Sequence, residues 1–232
     1  MRNSNQKIQT SLFGSLSKSC SIVLLVVPFF IASCDPPATV DLAASALDVK
    51  ITVIDVTENP SDGKVPVIMQ FFSNGKYVKL APGATVTCNG VALTDNGLGS
   101  AERVPLLSPG NQYIFRHIRN GTTTTVNVMA SSRPVINSPA QNATVTRSSS
   151  LTINYVAGTG TGIRGGGGDP STGLSGTVQT DNGTYTGLDV SSLKAGPGTI
   201  SITRESKSNI STGFKTTEIN YSSGKSHNVT WN

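Results

Sequence analysis

The stretch "QYIFRHIRNGTTTTVNVMA", residues 112–130, carries the decisive pattern. Two runs alternate apolar and polar side chains around Asn120-Gly121, a dipeptide whose tolerance of positive φ favours a two-residue β-turn. Such a turn fixes the register. Tyr113 falls opposite Val128 and Phe115 opposite Val126 on a core face, with Arg116 and Thr125 facing out. His117 shares the core-facing register near the turn and reads as half-buried and structural.

Working outward, the same chemistry repeats. Upstream, "VPVIMQFFSNGKYVKL" (65–80) turns at Asn74-Gly75, predicting pairs Phe71–Val78 and Met69–Leu80 on the core side. On its outer side it predicts Phe72–Tyr77 and Gln70–Lys79. "ATVTCNGVAL" (84–93) gives a short strand pair around Asn89-Gly90, with Cys88 in phase with Val86 as a small buried hydrophobe. "LDVKITVIDV" (47–56) alternates Leu47, Val49, Ile51 and Val53 against polar partners.

Downstream, "ASSRPVINSPA" (130–140) interrupts the pattern with two prolines and a serine cluster, as a module boundary would. Strands resume with Leu151, Ile153 and Tyr155 on one face, and the chain closes on "HNVTWN", where His227, Val229 and Trp231 align and Trp231 is the expected core anchor. Between them, nine of the nineteen residues 158–176 are glycine. Glycine loses the most backbone freedom on ordering, so this segment is expected to be a mobile loop, cut first near Arg164 by proteases.

Composition agrees with an all-β chain. Of 232 residues only 6% are aromatic and 13% charged, with 24 glycines and 12 prolines, while Val, Ile and Thr recur in short runs. The net charge of +5 is concentrated in part before residue 20, in Arg2, Lys7 and Lys18. Without those three, 15 basic residues face 13 acidic ones, and no basic face interleaved with aromatics emerges. A nucleic-acid partner is therefore not expected.

The beginning of the chain carries its own signal. "VVPFFIASCDPP" (26–37) ends a 12-residue apolar run, too short for the roughly 20 residues of a spanning helix, at Cys34. A basic start, a short apolar core and small terminal residues suit a signal peptide. Ile31-Ala32-Ser33-Cys34 resembles the lipobox of bacterial lipoproteins. That resemblance implies cleavage before Cys34, a lipid on its thiol, and a protein held on the extracytoplasmic side of the cell membrane. Residues 34–45 then form a polar, proline-stiffened tether.

Several short strands at this spacing suggest sandwiches. The body resembles two tandem immunoglobulin-like β-sandwich modules of bacterial surface proteins, over residues 46–132 and 133–232, and "LDVSSLKAGPGTISIT" (188–203) resembles their E–F connection. The resemblance implies binding or spacing in the cell envelope, with an envelope protein or a polysaccharide as partner. The competing class is a secreted or anchored enzyme, or a carbohydrate-binding module, acting on extracellular polysaccharide.

Candidate chemistry is sparse. "GTGIRG" (160–165) satisfies G-x-G-x-x-G, but the glycines and Pro170 that follow cannot start the helix a dinucleotide needs. Cys88, His117 and His227 lie in separate strands and do not make a zinc set, and Asp95-Asn96 and Asp181-Asn182 precede glycine and read as turns. No serine sits in a G-x-S-x-G elbow. No cofactor, metal or catalytic residue is expected. The one exposed feature suited to binding is the first hairpin, where Phe72 and Tyr77 stand beside Lys76 and Lys79.

Overall fold

A computed structural model describes residues 39–40, 42–56, 62–97 and 99–232. Cys34 and the expected leader lie outside the described residues. Among the described residues no helix is long and apolar enough to cross a membrane.

The first half carries β1 (Thr39–Val40), a 3-10 turn (Ala44–Ala46), β2 (Asp48–Asp55) and β3 (Lys64–Ser73). Short strands follow: β4 (Lys76–Tyr77), β5 (Lys79–Leu80), β6 (Thr85–Cys88), β7 (Val91–Ala92) and β8 (Thr94–Asp95). Then come β9 (Ser100–Pro105), β10 (Gln112–Arg119) and β11 (Thr122–Met129). The second half runs β12 (Ile136–Ser138), β13 (Ala143–Val145), β14 (Leu151–Tyr155), β15 (Gly162–Asp169) and β16 (Thr172–Gln179). It ends with β17 (Thr184–Leu188), β18 (Gly196–Asn209) and β19 (Thr216–Trp231).

In the first half the order β2-β3-β9-β8 faces β11-β10-β6-β7. Lettered along the chain, these are the ABED and GFCC′ sheets of an immunoglobulin-like sandwich. The second half repeats the plan, with β12-β14-β17 as ABE against β16-β15-β18-β19 as C′CFG, and β13 adding in parallel to β19. The segment after β17 is thus the E–F connection that the sequence resembled, with Val190 and Leu193 buried in it. The fold is all-β and immunoglobulin-like in both halves.

The decisive hairpin forms in the expected register, Tyr113↔Val128, Phe115↔Val126 and Arg116↔Thr125. Its φ is positive at both Asn120 and Gly121, as the turn requires. His117 is more deeply buried than expected, at 1% exposure.

The division at residue 133 falls between two hydrophobic cores but not between two sheets. The first core gathers Leu47, Ile51, Met69, Phe71 and Phe115; the second gathers Ile153, Tyr185, Leu193, Ile200 and Trp231. Strands β18 and β19 overrun the second core, pairing without a break from Gly196↔Trp231 to Asn209↔Glu218. The far end of β19 pairs in parallel with β2 over eight residues, Thr216↔Asp48 to Ser223↔Asp55. Phe214, Ile219 and Tyr221 therefore belong to the first core. The two C′CFG and ABED sheets merge into one of ten strands. On β19 the residues facing the first core (Ile219, Tyr221) and the second (Val229, Trp231) have the same parity, so both smaller sheets pack on one face of it.

The glycine-rich segment is the main departure from the sequence reading. Residues 158–176 are not a mobile loop: Gly162–Asp169 is an interior strand, bonded to β16 on one side and β18 on the other. Ladders on both sides offset the ordering cost of the glycines. The missing side chains make room for an aromatic residue, since a Cβ on Gly165 would stand 2.5 Å from the Tyr185 ring. Nearby, Trp231 Nε1 donates to the Gly168 carbonyl at 2.9 Å. Arg164, expected to be cut first, lies mid-strand and bonds Glu205 at 3.2 Å and the Gly176 carbonyl at 3.3 Å.

Candidate functional site

The first hairpin places the predicted aromatic pair. The register is Phe72↔Tyr77 and Ser73↔Lys76, and the Val78 amide donates to the Phe71 carbonyl at 2.9 Å. The rings of Phe72 and Tyr77 meet edge to face, centroids 6.2 Å apart at 74°, a favoured aromatic geometry. Both are half-buried and Lys76 is exposed.

Beyond Val78 the predicted ladder stops. Met69 pairs with Ser100 on β9 rather than with Leu80, and the β3–β4 ladder ends at Phe72↔Tyr77, short of the expected Gln70–Lys79 pair. The reason is occupancy: a strand edge takes one neighbour, and β9 holds the lower part of that edge of β3. Lys79 and Leu80 leave to pair in parallel with Thr39 and Val40. Lys79 thus pairs with Thr39 instead of Gln70, while Phe72, Lys76 and Tyr77 keep the expected register.

Sequence reasoning missed a fourth member. Tyr77 Oη reaches Asp95 Oδ1 at 3.5 Å, and Asp95 also accepts the Gly97 amide at 2.7 Å. Burial, then the Asp95 charge and hydrogen bond, push the Tyr77 hydroxyl above its usual range, so it stays a protonated donor. Below it a cavity of about 200 Å³ opens between the sheets, lined by Phe71, Tyr77, Val78, Leu80, Leu93 and Asp95 among others. Asp95 was legible in the sequence only as a turn former, because its approach to Tyr77 depends on β8 pairing with β9. The arrangement offers an apolar floor, an aromatic edge, a hydroxyl, a carboxylate and a nearby ammonium.

The other candidates fall elsewhere. Cys88 is fully buried, and burial pushes its thiol up to about 12, which removes the thiolate that chemistry would need. Burial, then the Arg119 charge, lowers the His117 pKa. Asp181, a turn residue by sequence, forms a buried ion pair with Arg204 at 2.5 Å, the side chains 2% and 5% exposed. His227 shares its Nδ1 with the Pro139 carbonyl at 2.9 Å. Among the described residues no three His, Cys, Asp or Glu side chains gather as a metal set.

No family model matches the chain, and no curated protein matches it. Among solved structures, the chain is similar to a biofilm associated protein (BSP domain) at 16% identity and TM-score 0.23, over 75% of this chain and 30% of that one. It is also similar to the I-band fragment I67-I69 from titin at 8% identity and TM-score 0.23, over 82% of this chain and 65% of that one. This chain thus spans less than two thirds of either. The class, an all-β protein of immunoglobulin-like sandwiches, rests on its own strand order.

Proposed function

We propose that the protein is a lipid-anchored, non-catalytic component of the cell envelope that carries a binding face on a rigid body of two cores. The observation that carries this reading is the shared ten-stranded sheet. Two cores built on one sheet, rather than strung on a linker, resist bending between them. Buried polar groups reinforce the joint: Arg133 pairs with Asp55, Tyr221 Oη donates to Asp55 at 3.3 Å, and Arg204 reaches the Ser132 carbonyl at 3.3 Å. The anchor is Cys34, supported by the lipobox-like Ile31-Ala32-Ser33-Cys34. The binding face is the Phe72–Tyr77 pair with Lys76 and Asp95, whose apolar and polar groups suit a sugar ring or an envelope protein.

Two variants test the halves of this reading separately. Cys34→Ala should release a folded protein from membranes, and intact mass of the wild-type protein from its host should include acyl chains; an unacylated mature chain removes the anchor. Phe72→Ser/Tyr77→Ser should abolish envelope association while leaving the fold intact. Association that survives, with only a lower melting temperature, makes the pair structural.

A further inference from the structure

Every β-sheet protein must deal with strand edges, whose free N–H and C=O groups invite pairing with another chain. Among the described residues the edges are blunted with one exception. β7 and β8 are two residues long and β12 is three. β17 is capped by Gln179, whose side chain donates to the Thr186 carbonyl at 2.6 Å and accepts its amide at 3.2 Å. β16 shifts register at a bulge, and its Gly176 and Thr177 carbonyls accept from Arg164 and from Tyr185 Oη.

β11 has none of these devices. It pairs with β10 over eight residues without a register shift, and its sequence, TTTTVNVM, contains no charge, proline or glycine. The turn closes with Arg119↔Thr122, so even-numbered residues bond β10 and odd-numbered residues point their backbone groups outward. The outward set is Thr123, Thr125, Asn127 and Met129, all exposed. Among the described residues nothing bonds their backbone groups off the ladder.

We propose that β11 is a docking edge, and that it receives the β11 strand of a second copy, antiparallel across a two-fold axis. A two-fold sets each strand against itself, which penalises a charged strand because like charges then oppose. β11 carries no charge, and its outward Thr and Asn side chains can hydrogen-bond across the new ladder. The adjacent Arg116, exposed on β10, would lie three strand spacings from its counterpart. That is about 14 Å, beyond the screening length of roughly 8 Å at physiological salt. Edge addition of this length already operates within the chain, where eight residues of β19 join β2. Pairing would fuse two four-stranded sheets into one of eight strands, with the Phe72–Tyr77 faces of both copies left free.

The test is sedimentation of the full-length chain in mild detergent over a wide concentration range, with hydrogen exchange read by residue. The expected result is a monomer–dimer equilibrium in which the amides of Thr123, Thr125, Asn127 and Met129 gain protection as dimer forms. Thr125→Pro removes an outward N–H without touching the β10 ladder and should weaken pairing by about tenfold or more. Should that variant misfold, Thr125→Lys and Thr125→Glu serve instead: each alone stays monomeric, and mixing them restores association. A chain that is monomeric throughout overturns the proposal, as does a dimer unaffected by these substitutions or one whose protection appears elsewhere.

Discussion

Arg204→Met should be among the most damaging single substitutions in this protein. Arg204 lies on β18, 4% exposed, where the long strands leave the second core. Its guanidinium bonds Asp181 at 2.5 Å, the Val156 carbonyl at 2.8 Å and the Ser132 carbonyl at 3.3 Å. Methionine matches the volume and removes every donor. Asp181 is then left buried with the Gly158 and Gly160 amides, each at 3.3 Å, and the nearby Tyr155 hydroxyl, none of which carries a compensating charge. Breaking a buried pair by deleting one partner costs about 3–5 kcal/mol, because the remaining charge is uncompensated. In a chain of this size each kcal/mol lowers the melting temperature by about 2–4 °C, so a fall on the order of 10 °C is expected. Arg204→Met/Asp181→Leu removes both charges and should recover most of the loss.

The pH dependence gives an independent reading. Burial raises the Asp181 pKa, but the Arg204 hydrogen bond and charge, with the two glycine amides, outweigh it and hold the carboxyl below its ordinary 3.8. The native protein thus loses this contribution as pH falls through the lowered value. In Arg204→Met only neutral donors still oppose burial, so the carboxyl pKa rises, protonation relieves the variant and its deficit shrinks in acid. Urea melts at neutral and acidic pH measure both effects. A single-variant cost below about 1 kcal/mol, the size of an exposed pair, would refute the reasoning.

Four further outcomes follow from other sites. His117, packed 5.5 Å from Phe71 and 5.8 Å from Phe214, is held neutral by burial, so the unfolded chain binds its proton more readily. Stability should therefore fall as pH drops below about 6.5, the ordinary histidine value, and His117→Phe should flatten that slope in thermal melts. Gly165→Val should cost about 1–3 kcal/mol by overpacking against Tyr185, and trypsin should spare Arg164 in the folded wild type; early cleavage there would restore the loop reading. Cys88 should resist alkylation at neutral pH in the native state and react once urea unfolds the chain, which mass spectrometry reports directly.

The local features were written in the sequence because their causes are local. Asn-Gly turns at 74–75, 89–90 and 120–121 set hairpin registers through two residues each, and alternation then decided which side chains of β10 and β11 face the core. Trp231 and the E–F connection were legible for the same reason. What failed was whatever depended on a neighbour distant in sequence. The glycine run at 162–168 has a loop's composition, and only β16, β18 and the Tyr185 ring turn it into an interior strand. Leu80 does not reach Met69 because β9, some twenty residues onward, occupies the edge its hairpin needed. Asp95 joins the site, and Asp181 finds Arg204, through pairings that no local pattern encodes. The merging of two sandwiches on one sheet belongs to the same class: β19 meets β2 across some 168 residues of chain, and a parallel pairing has no turn to announce it.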